Sequence, residues 1–414
     1  MATKNIASLE GLRAFAAIGV VTLHITYLAG RIIVNPLQYP WLASFWVFGN
    51  TGVQLFFVLS GFLLFMPYAK ALLFQEKWPS TPTFYLRRVL RIAPGYYFSL
   101  LVLVLFVQQI YLQPDHWAQF FLFLTFLMDS SKTTFQQINV PYWSLAVEVQ
   151  FYLLLPLVAR GIYLLLQHAP ATPFTRMRVA LLACLGLIVF GIIVRYLGWQ
   201  FPSLPAGSPG LLVFLFTITR FLFFGTAGKF WESFAIGMIV SLCFIYAQHT
   251  EHGIFWQRTL QKISLFTGLA ALVVLTFCAF WNFRASYPAQ QLNFLQIFLP
   301  YRNWLMEFFV SLGWGLLILT ILAGHGLFKA PFEWKLVRHL GIISYTIYLW
   351  HLPLLTLFKK YILAHLSITN IALSHLAYWS FFTLVIIPWC ILIYWLVEKP
   401  FMRIKDRQKL RRAL

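Results

Sequence analysis

Charged residues are scarce in this chain of 414 residues. Only 10% of the residues are charged, with 11 Asp and Glu against 31 Lys and Arg, whereas 60% are hydrophobic. A soluble domain is about a quarter charged, and a disordered chain needs low hydrophobicity, so both classes are excluded. Continuous apolar runs such as Phe98–Val107 and Gly268–Phe280 also differ from the short alternating segments of a membrane β-barrel. The composition therefore predicts an all-α polytopic membrane protein.

Cysteine is rare as well, and its spacing indicates no metal site or disulfide. Each of the four lies alone inside an apolar run, where it resembles a small hydrophobic residue: Cys184, Cys243, Cys278 and Cys390. No cleavable signal peptide is evident, because Met1–Glu10 is polar and no small-residue cleavage site follows the first apolar run. The net charge of +20 comes mostly from basic residues beside apolar runs. In that position basic residues set the membrane topology and attract anionic lipid headgroups, so they do not indicate nucleic-acid binding.

Hydropathy predicts a transmembrane helical bundle of about ten spans, each about 20 residues long. The predicted spans lie near residues 12–33, 46–68, 92–112, 142–166, 179–198, 230–248, 263–281, 304–324, 339–361 and 376–397. Two further apolar pieces, near 116–128 and 211–227, are short or broken by Arg220 and glycines. They are predicted to be re-entrant or interfacial segments. The simplest organisation is one membrane domain over 1–414, with a short basic tail at 398–414.

The distribution of Lys and Arg predicts the orientation. If the amino terminus is cytoplasmic, 22 of the 31 Lys and Arg residues fall on the cytoplasmic side of the predicted spans. Cytoplasmic loops carry such an excess. We therefore expect a multi-pass protein of the inner (plasma) membrane with both termini in the cytoplasm.

Ionisable residues inside the predicted spans are the first candidates for function. A charge near the bilayer centre costs at least about 2.5–3.5 kcal/mol, and only His24 and His351 among the histidines lie deep in a span. Glu148 is the clearest acidic residue inside one. At about 1.5 Å of rise per residue, all three are predicted to reach one level in the outer half of the bilayer. A shared site is favoured, and satisfied polar contacts between helices are the alternative.

Arginines form a second candidate group at the predicted cytoplasmic surface. Arg13 lies eleven residues before His24, close to three turns, so both share one helix face. That stripe suits a long ligand with an anionic head and a reactive tail. Arg87, Arg88 and Arg91 lie at the entrance of the third span, where the last two are adjacent at i, i+3 spacing. Paired guanidiniums bind phosphate oxygens in a bidentate manner, and anchoring to lipid headgroups is the alternative.

Other polar side chains recur at helical spacing and support a substrate cavity. Asn50 and Gln54 are four residues apart, as are Ser144 and Glu148. Ser344, Tyr348 and His351 form another stripe on one helix face.

These residues, in this order, resemble the acyltransferase-3 family of integral membrane acyltransferases. The match is carried by Ser8–Arg13 with His24, by Gly52–Leu63, by the Arg-Arg-x-x-Arg-Ile-x-Pro run from Arg87 to Pro94, by Tyr142–Tyr152, and by Ile343–His351 followed by Glu398-Lys-Pro. Ala14 replaces the Gly that the family usually has after the first Arg, which keeps the position small. The resemblance spans essentially the whole chain, and the combination of motifs is specific.

The resemblance implies transfer of an acyl group, commonly acetyl from acetyl-CoA, to a hydroxyl of a glycan or glycosylated small molecule. The essential His and Arg-x-x-Arg of the family fall on His24 and on Arg88 with Arg91. Acyl-CoA is then a co-substrate rather than a bound cofactor, no metal is implied, and the lipid bilayer is the other partner. Some relatives carry an extracytoplasmic esterase-like domain, and this chain looks like the stand-alone type. The segments expected to line the acceptor cavity contribute Asn50, Gln54, Ser60, Trp143, Ser144, Tyr348 and His351.

The sequence-based hypothesis for the chemistry makes His24 the general base that deprotonates the acceptor hydroxyl. Glu148 is expected to orient or charge-balance that imidazole. Asn50, Gln54, Ser144 or Tyr348 would donate to the developing oxyanion, and a covalent acyl-enzyme intermediate stays open.

Two other classes stay open at this stage. A secondary transporter of a lipid-linked or proton-coupled substrate would also use intramembrane His and Glu. Against it, no inverted repeat is visible and the arginines lie at a membrane face. A passive structural component would give these ionisable residues no purpose.

Overall fold

The computed structural model describes residues 7–30, 32–167, 170, 172–201, 204–205, 207–250, 253–287, 290–324, 326–366 and 368–404. Within these ranges the secondary structure is helical, and no strand occurs. The α-helices are α1 (Ala7–Leu28), α2 (Pro40–Val47), α3 (Gly52–Phe74), α4 (Thr81–Phe106), α5 (Trp117–Leu124), α6 (Tyr142–Leu166), α7 (Pro173–Gln200), α8 (Gly210–Thr219), α9 (Trp231–His249), α10 (Gly253–Ser286), α11 (Arg302–Leu322), α12 (Gly326–Glu333), α13 (Lys335–Ile342), α14 (Ser344–Tyr361), α15 (Ile371–Phe381) and α16 (Ile387–Ile393). The basic tail predicted beyond residue 404 lies outside the described residues.

The number of membrane-crossing helices agrees with the prediction. In the described ranges, nine helical stretches are long and apolar enough to cross a bilayer. A tenth results if α13 and α14, which are bent by 74° at their junction, form one span. The two short apolar pieces are helices of limited length, since α5 has 8 residues and α8 continues only to Phe224 through a π-helical turn. The protein is an all-α polytopic helical bundle.

Helix α1 lies in the interior of the bundle and touches its neighbours through backbone. Leu12, Ala16 and Ala17 are almost completely buried. A Cβ atom at Gly49 would lie 2.0 Å from the carbonyl oxygen of Gly19, and one at Gly52 would lie 2.3 Å from that of Ala16. Because only glycine permits this approach, the turn that leads into α3 is fixed directly against α1.

Helix α6 begins well below the end of its neighbour α4. The hydroxyl of Tyr142, the first residue of α6, lies 2.7 Å from that of Ser99. Ser99 is seven residues before the end of α4 at Phe106, which places the start of α6 about 10 Å below that end. The connection from α5 to α6 also packs inward, since the amide of Asn139 donates to the carbonyl of Leu349 at 2.8 Å. Residues of α6 are therefore deeper than a span starting at the surface would place them.

Two buried ion pairs join the connections between helices. Lys229 donates to Asp129 at 2.5 Å and to the side-chain carbonyl of Gln150 at 2.8 Å. Arg195 donates to Glu232 through Nε at 2.9 Å and Nη2 at 2.6 Å. Burial lowers the pKa of Lys229, and Asp129 opposes that shift. These contacts hold the α5–α6 and α8–α9 connections against α6, α7 and α9.

Candidate active site

Two histidines from distant parts of the chain form a pair inside the bundle. Nδ1 of His24 in α1 lies 3.0 Å from Nε2 of His351 in α14. His351 is completely buried, and His24 is partly exposed. The structure therefore brings these two predicted residues into contact.

The hydrogen bonds of the pair assign its tautomers. Nδ1 of His351 lies 2.9 Å from the carbonyl oxygen of Ile347, and a carbonyl can only accept, so this nitrogen carries the hydrogen. A neutral imidazole then has an acceptor at its other nitrogen. Nδ1–H of His24 consequently donates to His351, which leaves the lone pair on Nε2 of His24. That nitrogen is in the form a general base requires.

The predicted arginines gather toward one end of the bundle, which we call the arginine face. Arg13, Arg88 and Arg91 all interact electrostatically with one another. The guanidinium of Arg88 lies 5.9 Å from the ring centre of Tyr152, and its Nε is buried without a hydrogen-bond partner in the described chain. Arg87 is half-buried beside Arg88. The cluster therefore has unused donors for an anionic ligand.

The carboxylate of Glu398 supports the arginine cluster from the end of the chain. It is 2% exposed, accepts a hydrogen bond from Thr346 at 2.5 Å, and lies 3.9 Å from Arg91. Arg91 also approaches Sδ of Met402 at 3.0 Å. Glu398 begins the Glu398-Lys-Pro motif noted above, but no functional role was predicted for it from the sequence. The signal was an acidic residue at the end of the last apolar run.

Glu148 does not partner the imidazole of His24, which corrects the sequence-based hypothesis. Its carboxylate accepts a hydrogen bond from Ser60 at 2.5 Å and another from Tyr152. It interacts electrostatically with Arg13 and Arg88. The predicted depth was wrong because α6 starts below the surface, so Glu148 lies beside the arginines.

A continuous series of polar side chains joins the arginine cluster to the imidazole pair. One turn before Glu148 on α6, the hydroxyl of Ser144 lies 2.6 Å from that of Tyr348. Tyr348 is one turn before His351 on α14, and their ring centres are 6.0 Å apart. Arg13 and His24 run alongside on α1, about 16 Å apart along the helix axis. We call this series the polar seam.

Asn50 and Gln54 form a further polar group beside α1. The amide of Gln54 donates to the carboxylate of Glu307 in α11. Its own carbonyl oxygen is buried without a hydrogen-bond partner, as is Oδ1 of Asn50, among the residues described. Glu307 lies 253 residues after Gln54, so local spacing gave no signal for this contact.

Trp143 lies outside the polar seam. Its ring packs 5.6 Å from that of Phe230 and 5.9 Å from that of Phe135. Its surroundings are thus aromatic, unlike those of the other residues predicted to line a cavity. Over the described residues, no cluster of three His, Cys, Asp or Glu side chains is suited to holding a metal ion.

Comparison with known proteins gives a family match and three informative relatives. Peptidoglycan O-acetyltransferase OatA of Listeria monocytogenes is 26% identical over 371 residues, which cover 86% of this chain and 50% of the relative. Putative peptidoglycan O-acetyltransferase YrhL of Bacillus subtilis is 25% identical over 423 residues, covering 96% and 55%. O-acetyltransferase OatA of Staphylococcus aureus is 29% identical over 203 residues, covering 45% and 30%.

The chain spans about half the length of the first two relatives. No solved structure matches it. The sequence model of the family described as an acyltransferase domain matches residues 6–395, nearly the whole chain. Together with the polar seam, this match shows that the chain belongs to the acyltransferase-3 family of membrane proteins.

Proposed function

We propose that this protein is an O-acetyltransferase that moves an acyl group, most simply acetyl, from acyl-CoA to a hydroxyl of a glycan or glycosylated small molecule. The observation that carries the proposal is the polar seam, which links a cluster of arginines to a paired imidazole. An anionic donor would bind at the arginines while its reactive end reaches the imidazole. The names of the relatives, which are O-acetyltransferases, support the same reaction.

In this proposal the arginine face is cytoplasmic and the protein lies in the inner (plasma) membrane. Glu10 near the start of α1 lies 3.5 Å from Arg338 and interacts electrostatically with Tyr394 near the end of the described chain. The two ends of the described chain therefore lie at the same face. Coenzyme A is a phosphate-rich cytoplasmic anion, which agrees with arginines at that face.

The chemistry is a direct acyl transfer. Nε2 of His24 takes the proton from the acceptor hydroxyl as the hydroxyl oxygen attacks the thioester carbonyl. The carbon–sulfur bond then breaks, and the thiolate of coenzyme A takes the proton back from the imidazolium. His351 keeps His24 in the required tautomer, the role that a carboxylate has in a hydrolase triad. Glu148 balances the arginines instead.

The hydrogen bonds of the four candidate oxyanion donors differ, which supports one of them. The amide of Gln54 is engaged by Glu307, and the hydroxyls of Ser144 and Tyr348 bind each other. Of the four candidates, Asn50 alone has no side-chain hydrogen bond in the described part of the chain. Its turn packs on α1 at Gly19, between Arg13 and His24, where the thioester would lie. We therefore assign Asn50 as the donor in this proposal.

The test uses the full chain reconstituted in phosphatidylcholine nanodiscs with labelled acetyl-CoA and soluble peptidoglycan fragments. The wild-type protein should add one acetyl mass to the fragments. His24→Ala should lose about 10³-fold or more in rate, within the range of general acid–base catalysis combined with lost positioning. His249→Ala is the matched control, since the described residues that bond or stack with His249 are Ile245, through its carbonyl, and Phe74.

Two results would overturn the proposal. Full activity of the folded His24→Ala protein would remove the assigned base. A wild-type protein that moves label across a vesicle membrane while leaving the thioester intact would instead be a transporter.

A further inference from the structure

A separate cavity opens at the arginine face, between the ends of three helices. Its volume is about 580 Å³, and it is bounded by the end of α3, the end of α6 and the start of α7. Its lining includes Glu76, Trp78, Arg160, Tyr163 and Arg176. A volume of this size lies within the range of cofactor and ligand sites, about 300–1,000 Å³.

Aromatic packing connects the cavity to the arginine cluster. The ring centre of Trp78 lies 5.4 Å from that of Tyr68, which lies 6.0 Å from that of Phe84. Phe84 precedes Arg88 by four residues on α4, so both lie on one helix face. A ligand bound in the cavity would therefore lie beside the entrance to the polar seam.

The lining of the cavity is net positive, with two arginines and one glutamate. Arg176 is only 7% exposed, and its Nε donates to the carbonyl of Leu72 at 2.5 Å. Arg160 is exposed and lies 4.7 Å from the ring centre of Tyr163. Among described residues, the ion pairs include neither arginine. A buried guanidinium without a carboxylate partner is suited to an anionic ligand, and phosphate accepts its bidentate donors.

The remaining lining favours a nucleotide over a bare phosphate group. The rings of Trp78 and Tyr163 meet edge to face with centres 5.5 Å apart, which leaves aromatic surface for a flat base. The carboxylate of Glu76 can accept from an exocyclic amine or ribose hydroxyls but would repel a second phosphate. Inorganic phosphate would fill little of the volume, and a lipid headgroup has no planar ring for the aromatic wall.

We propose that this cavity binds the adenosine 3′-phosphate end of acyl-CoA, with Arg176 and Arg160 on the 3′-phosphate and Trp78 against adenine. The inference rests on the proposed function, whose donor it locates. The 5′-diphosphate then lies at the arginine cluster, and the uncharged pantetheine arm runs from there along Arg13 into the polar seam. The cluster binds the diphosphate, and the cavity supplies affinity for the adenosine 3′-phosphate.

The experiment compares binding of coenzyme A and 3′-dephospho-coenzyme A to the full chain in phosphatidylcholine nanodiscs by calorimetry. Wild type should prefer coenzyme A by about 10-fold, the value of one charge-assisted contact. Arg176→Gln should abolish that preference and raise the KM for acetyl-CoA about 10-fold. The kcat should change little, because a contact remote from the thioester stabilises the bound substrate and the transition state equally. Trp78→Leu should weaken both ligands equally.

Arg178→Gln is the matched control, because Arg178 is two residues away, exposed, and stacks on Phe174. It should leave both affinities unchanged, and thermal unfolding checks that every variant is folded at the assay temperature. Unaltered coenzyme A affinity in Arg176→Gln and Trp78→Leu, with acetyl transfer intact, would overturn the cavity assignment alone. Selective loss of phosphatidylglycerol binding in Arg176→Gln would show a lipid site instead. Absence of any acetyl transfer by wild type would refute the proposed function itself.

Discussion

The hydrogen bond between the two imidazoles predicts a graded response to substitution of His351. In His351→Phe the ring volume is nearly kept, but the acceptor for Nδ1–H of His24 at 3.0 Å is lost. A buried donor left unpaired costs about 1–3 kcal/mol. If this cost adds fully to the activation free energy, the acetyl-transfer rate drops by about 5- to 150-fold, since about 1.36 kcal/mol corresponds to a tenfold change in rate.

His351→Gln separates positioning from simple packing. The glutamine carbonyl can accept from His24, and its amide can donate toward the carbonyl of Ile347, which His351 contacts at 2.9 Å. We expect this variant to retain transfer within about 10-fold of wild type. A purely structural role would give similar losses in both variants.

The assay measures kcat and the KM for acetyl-CoA with peptidoglycan fragments as acceptor. The loss should appear in kcat, because His351 lies at the imidazole end of the seam and away from the arginines. Wild-type kcat in the phenylalanine variant would refute the reasoning. A change confined to KM would do the same.

Three further predictions concern charge and packing elsewhere in the bundle. Glu148→Gln should reduce kcat by less than about 10-fold, because Glu148 balances the charge of the arginines. A loss near 10⁴-fold, as for the orienting carboxylate of a triad, would instead indicate that Glu148 is the partner of His24. Lys229→Met should destabilise the protein by about 3–5 kcal/mol, because the buried carboxylate of Asp129 loses its cationic partner and keeps only neutral donors such as Gln150. The double variant Asp129→Leu with Lys229→Met should recover much of that stability, and equal unfolding temperatures for single and double variants would count against the buried pair. Gly52→Ala should lower both stability and transfer, since its Cβ would lie 2.3 Å from the carbonyl oxygen of Ala16, whereas Gly161→Ala, with open space around it, should be neutral or stabilising by up to about 1 kcal/mol.

Hydropathy and helical spacing were sufficient to predict the all-α bundle, the two imidazoles and the arginine cluster. His24 and His351 stood out because polar residues inside long apolar runs are costly and must find partners. Arg13 and His24 share a helix face, which follows from periodicity alone.

The partner of Glu148 could not be predicted from spacing because depth depends on where a helix begins. The start of α6 is set by the contact of Tyr142 with Ser99 in α4, a tertiary interaction that no local pattern encodes. For the same reason the pairs Gln54–Glu307 and Thr346–Glu398, each more than fifty residues apart in sequence, were not foreseen. Such contacts are properties of the packed bundle.

The backbone contact of Gly49 and Gly52 with α1 has a kinetic consequence. A helix that packs on its neighbour through main-chain atoms cannot slide or rock without disrupting that close contact. Alternating-access carriers depend on such rocking of one half against the other. Under the proposed function, the helices would stay in place during each cycle and the flexible arm of the acyl donor would move.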